Sequence, residues 1–72
     1  MKKVYRMEDL DCANCARKME DAIRKIQGVE SVSINFLTQK MTLEAQDDRF
    51  DEIVQQAQKA CRRVEPDCRI LL

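Results

Sequence analysis

The sequence predicts an α+β fold in the order βαββαβ, with a four-stranded antiparallel sheet covered on one face by two helices. Three observations carry this prediction. Two long stretches repeat apolar residues at spacings of three and four, the period of a helix face. The segments around them alternate apolar and polar residues, as half-buried strands do. The only glycine and the only proline, Gly28 and Pro66, each fall where a helical stretch stops.

Lys2 to Glu8 read as the first strand, with Tyr5 and Met7 on one side and Lys2, Val4, Arg6 and Glu8 on the other. A helix is expected from Ala13 to Gln27, because Cys15, Met19, Ala22, Ile23 and Ile26 form one stripe and Gly28 suits the C′ position. Val29 to Phe36 alternate Val32, Ile34 and Phe36 with Ser31, Ser33 and Asn35. After Leu37-Thr38-Gln39, the run Met41-Thr42-Leu43-Glu44 completes a hairpin. Asp47 or Asp48 is placed to cap a second helix whose inner face is Phe50, Ile53, Val54, Ala57, Cys61 and Val64. Pro66 then ends the helix and opens a last strand with Cys68, Ile70 and Leu72 facing inward. This is the ferredoxin-like split βαβ order, and right-handed crossovers put the first and third strands side by side in the middle. Residues 1–72 read as a single domain.

Composition narrows the function. A chain of 72 residues has room for one two-layer core and none for a deep cleft between lobes, which argues against a self-sufficient enzyme. Thirteen basic residues balance 13 acidic ones, and two Phe with one Tyr and no Trp offer few stacking platforms, so nucleic acid is a poor partner. Apolar runs of a few residues fall far short of the roughly 20 that span a bilayer, so direct membrane insertion is not expected. The basic start lacks the apolar stretch of a secretory signal, which leaves the cytosol as the default compartment. Four cysteines could in principle form disulfides, but in a reducing compartment a close pair more often serves metal or redox chemistry.

The segment Asp11-Cys12-Ala13-Asn14-Cys15 bridges the first strand and the first helix. Cys12 is expected in the loop and Cys15 in the first helical turn, where unpaired backbone N–H groups and the helix dipole favour thiolates. Two intervening residues let both sulfurs converge on one soft or borderline ion. Two sulfurs suffice for linear Cu(I), whereas zinc and cadmium want further donors, and the carboxylate of Asp11 is the first candidate. Its hardness and charge favour Zn(II), Cd(II) or Pb(II) over Cu(I). The loop before the last strand comes close to the same end, which makes Glu65 a weaker candidate ligand. Cys61 and Cys68 fall on apolar stripes and read as core, as do Met7, Met19 and Met41. Arg17 and Lys18, near the metal end, could meet an acidic partner domain.

The strand, loop and helix around Asp11-Cys12-Ala13-Asn14-Cys15 resemble the heavy-metal-associated domain, and the likeness covers essentially the whole chain, including the Gly28-Val29 step. Copper members of that family usually carry Gly-Met-Thr-Cys-x-x-Cys, where this chain has Asp9-Leu10-Asp11-Cys12-Ala13-Asn14-Cys15. The resemblance implies that Leu10 takes the role of the buried Met anchoring the loop. It also implies that Asp11 marks the zinc, cadmium and lead branch. Copper domains often place Lys, Tyr or Phe before the last strand, where this chain has Arg62-Arg63-Val64-Glu65-Pro66. The implied role is binding and transfer of a divalent metal ion as the non-catalytic cytosolic N-terminal domain of a P-type ATPase tethered to the membrane. The implied partners are other ATPase domains or a metal donor. The domain would be mostly monomeric, with a metal-bridged dimer conceivable. A free-standing metallochaperone, for copper among others, and a small dithiol redox protein are the competing readings.

Overall fold

The structure, a computed structural model, describes residues 1–10 and 12–72. Strand β1 (Lys2–Glu8) leads into helix α1 (Ala13–Arg24), followed by β2 (Val29–Asn35) and β3 (Lys40–Ala45). A short 3₁₀ turn (Asp47–Arg49) precedes helix α2 (Phe50–Val64), and β4 (Arg69–Ile70) closes the order. The strands form one antiparallel sheet in the order β2-β3-β1-β4, so β1 and β3 occupy the middle as the crossover rule requires.

The pleat sorts the side chains. On β2 and β3, Val32, Ile34, Met41, Leu43 and Ala45 point into the core, with Ile34 opposite Met41 and Val32 opposite Leu43. Helix α1 brings Ala16, Met19 and Ile23 onto them, and α2 brings Phe50, Ile53, Val54, Ala57, Ala60 and Cys61. Cys68 and Ile70 complete the buried set. No buried polar or charged residue interrupts this layer among the described residues. The opposite face of the sheet meets solvent, which explains the alternation of Ser31, Ser33 and Asn35 with apolar neighbours.

Side chains from the helices reach one residue on each sheet edge. On β2, the Ile34 N–H donates to Glu20 Oε2 of α1 at 2.5 Å. On β4, Gln58 of α2 takes both backbone groups of Ile70: its Oε1 accepts from the N–H at 2.8 Å and its Nε2 donates to the C=O at 2.7 Å. Groups that an edge strand normally leaves unpaired are thereby satisfied.

Four expectations need correction. Helix α1 ends at Arg24 rather than Gln27: the Ile26 N–H donates to the Ile23 carbonyl at 3.0 Å, a tighter i→i+3 turn that ends the helix while leaving Ile26 packed against the core. Gly28 therefore lies beyond the cap, where its φ of 99° reverses the chain into β2. Neither Asp47 nor Asp48 caps α2. They sit in the 3₁₀ turn, Arg49 is the N-cap without a side-chain capping bond, and Asp51 and Glu52 supply the acidic first turn that suits the helix dipole. Leu72 is 64% exposed rather than inward, because the β1–β4 pairing ends at the Leu71 N–H bond to the Arg6 carbonyl.

Gly28 has two reasons to be glycine. Its φ is one that side chains disfavour, and an added Cβ would lie 2.7 Å from Cδ1 of the fully buried Ile53. Gly28→Ala is expected to lower stability by about 2–3 kcal/mol, read as a shift in the urea midpoint. Burial, with a smaller contribution from Cys68, pushes the Cys61 thiol up to about 12. An acid whose folded pKa exceeds its unfolded value near 9.0 stabilises fully below that value and loses the contribution as pH climbs toward 12. Unfolding midpoints should therefore fall above about pH 9, and Cys61→Ala should flatten that decline even though it lowers stability at neutral pH.

Candidate metal centre

Three connections meet at one end of the sheet. Strands β1 and β4 are antiparallel, so the loop leaving β1 lies beside the loop that enters β4; β1 and β3 are antiparallel, so the β2–β3 turn lies there too. Leu10, 1% exposed, pins the first of these loops to the core. Just before it, Asp9 adopts φ 61°, a left-handed conformation that Asp tolerates better than most residues.

Cys12 is the N-cap of α1. Its backbone is extended at φ −136° and ψ 124°, its carbonyl accepts the first helical bond from the Ala16 N–H at 3.0 Å, and its Sγ accepts from the Cys15 N–H at 3.4 Å. Sulfur thus stands where Ser or Asp usually caps. This bond holds the Cys12 thiol below its ordinary range, helped by a hydrogen bond from the Cys15 side chain and by the Asn14 N–H and the charge of Lys18. Cys15 shifts the other way. Its thiol donates a hydrogen bond to Cys12, is partly desolvated and faces the charges of Cys12 and Glu65, all of which raise its pKa. The sequence led to a lowered pKa for both thiols, but only that of Cys12 is lowered while that of Cys15 is raised, because adjacent sulfurs disfavour a second negative charge.

An open depression of about 480 Å³ lies over the pair, lined by Asp9, Leu10, Cys12, Cys15, Glu65 and Asp67. Glu65, expected here, is present: it is the C-cap of α2, and its Oε1 accepts from the Asp67 N–H at 3.4 Å. Asp67 was missed by sequence reasoning, although its place just past Pro66 in the same loop was the available signal. The expectation for Asp11 lies outside the described residues. Among the described residues, no three Cys, Asp or Glu side chains stand close enough together to hold an ion unaided. Cys61 and Cys68 are fully buried and do not line the depression.

Comparison with known proteins supplies an independent view. A family model described as the heavy-metal-associated domain matches residues 4–62. The chain is 38% identical over 56 residues to a zinc/cadmium/lead-transporting P-type ATPase of Escherichia coli (strain K12), an alignment covering 78% of this chain. It is 29% identical over 66 residues to a cadmium, zinc and cobalt-transporting ATPase of Bacillus subtilis (strain 168), covering 92% of this chain. The aligned parts make up 8% and 9% of those two proteins, so the chain corresponds to a small part of each. Among solved structures, the apo N-terminal domain of ZntA superposes with TM-score 0.74 at 31% identity, covering 99% of this chain and 92% of that one. A CopZ metallochaperone superposes with TM-score 0.79 at 20% identity over 99% and 100% of the two chains, a likeness of fold.

The split in thiol character can be tested directly. Under limiting iodoacetamide near neutral pH, mass spectrometry should find Cys12 alkylated first and Cys15 more slowly, with Cys61 modified only after denaturant is added.

Proposed function

The chain belongs to the heavy-metal-associated domain family, and from that premise we propose that it binds and hands over a soft or borderline divalent ion, Zn(II), Cd(II) or Pb(II), in preference to Cu(I). One observation carries the preference: the mouth of the cysteine pair is acidic, with Asp9, Glu65 and Asp67 lining the same depression as Cys12 and Cys15. A two-thiolate Cu(I) complex is already anionic and gains nothing from hard oxygen donors, whereas a divalent ion needs both the added charge and the added ligands. In this reading Cys12 and Cys15 are the sulfur ligands, Asp11 is the first oxygen ligand and Glu65 a weaker one. The names of the ATPase relatives support the same choice of ions.

Transfer proceeds by ligand exchange. Binding lowers the pKa of both thiols, and Cys12 and Cys15 lose their protons as the chelate closes. Because the depression is open, an incoming ligand adds before an outgoing one leaves, and no covalent bond to carbon or phosphorus is made or broken. The proposal places the chain as a non-catalytic cytosolic N-terminal part of a metal-transporting P-type ATPase, with membrane passage and ATP hydrolysis supplied by other parts. No helix among the described residues is long and apolar enough to cross a membrane. Exposed Arg17 and Lys18, on the first turns of α1, would face an acidic partner during hand-over.

Competitive titration of the reduced chain with Zn(II), Cd(II), Pb(II) and Cu(I) tests this assignment. Cys12→Ser/Cys15→Ser should abolish binding of all four. Asp11→Ala should weaken the divalent ions by about tenfold or more, 1.4 kcal/mol, and leave Cu(I) nearly unchanged. Glu65→Gln should have the same sign and a smaller size. Divalent affinities untouched by Asp11→Ala would overturn the ligand role of Asp11. A chain that prefers Cu(I) would be a copper carrier. One that binds no ion above the double-cysteine variant would overturn the metal role, with a dithiol potential well below the cytosolic glutathione poise then favouring a redox protein.

A further inference from the structure

Leu10 is buried and lies beyond the end of β1, so its backbone N–H and C=O have no strand partner, yet both are satisfied. One side chain does this. The Leu10 N–H donates to Gln39 Oε1 at 3.0 Å, and Gln39 Nε2 donates to the Leu10 carbonyl and, at 2.8 Å, to the Phe36 carbonyl. The amide of Gln39 acts as a detached strand residue, presenting an acceptor and a donor to a backbone N–H and C=O.

The clamp is itself held. Gln39 adopts φ 57° at the end of the β2–β3 turn, and its carbonyl accepts from the Met7 N–H at 2.8 Å, extending the β1–β3 ladder toward the loop. The start of that turn is fixed by Asn35 Oδ1, which accepts from the N–H groups of Leu37 and Thr38 at 2.9 and 3.2 Å. A hydrogen-bonded turn on one strand pair therefore grips the backbone two residues before Cys12, while Cys12 is exposed and Cys15 half-buried.

We propose that Gln39 is a positioning residue for the metal loop, holding Leu10 so that the Cys12 and Cys15 sulfurs stay converged before an ion arrives. The proposal rests on the reading of Cys12 and Cys15 as ligands. Without the clamp, the loop samples arrangements in which the sulfurs diverge, and affinity falls by the fraction of time spent in them.

Gln58 provides a matched control, since its amide makes the same two-point contact with the backbone of Ile70 on β4. The experiment measures Cd(II) affinity by chelator competition at 25 °C for wild type, Gln39→Met, Gln39→Asn and Gln58→Met, together with urea midpoints and amide exchange at Leu10 in the metal-free chains. Methionine keeps bulk without hydrogen bonds; asparagine keeps the amide but falls a methylene short. Both Gln39 variants should lose about tenfold in Cd(II) affinity and lose exchange protection at Leu10. Gln58→Met should lower the midpoint comparably and leave Cd(II) affinity within about twofold. Wild-type affinity in the Gln39 variants, or an equal loss in Gln58→Met, overturns the proposal. Failure of the ligand reading shows separately, as unchanged Cd(II) affinity in Cys12→Ser/Cys15→Ser, and the proposal falls with it.

Discussion

Strand β1 is hydrogen-bonded along both edges, to β3 on one side and β4 on the other, and the site depends on this. A central strand cannot shift register without breaking two ladders, so the point where it stops is one of the best-fixed positions in the fold. Its two neighbours run opposite to it, which brings the connections serving them to the same place. The cysteine loop, the β2–β3 turn and the α2–β4 loop thus meet because of sheet order alone. Contacts between them follow from topology before any side chain is chosen.

Side chains then divide the labour at that end. Leu10 supplies burial, Gln39 supplies backbone partners for it, and Cys12 supplies the cap of α1. Using a cysteine as N-cap has an electrostatic outcome that an oxygen would not give. The bond that tethers the helix start also lowers the pKa of Cys12, while the neighbouring sulfur of Cys12 raises that of Cys15. The two thiols are therefore shifted in opposite directions.

Much of this was legible in the chain. Period and alternation gave the element order, and the crossover rule gave the sheet order, because both follow from burying one face of each element. The cysteine pair was legible from spacing and from the strand-to-helix boundary it straddles. The misreadings share a cause: an apolar pattern reports what is buried, not which backbone bond is made. Ile26 packs on the core without being helical, and the aspartates before α2 look like caps but occupy a 3₁₀ turn. Gln39 was invisible for a related reason. A polar residue in a hairpin turn reads as solvated, and only the closeness of β1 to β3 reveals that its amide faces a buried backbone.

The helix side chains laid over the sheet edges bear on how such a molecule meets others. With Glu20 covering the Ile34 N–H and Gln58 both polar groups of Ile70, a second polypeptide finds few free backbone donors and acceptors to template against at those points. Strand exchange and fibril-like stacking lose their footholds there. Encounters at those points are left to surface charge and side-chain contacts, forces that form and dissolve quickly.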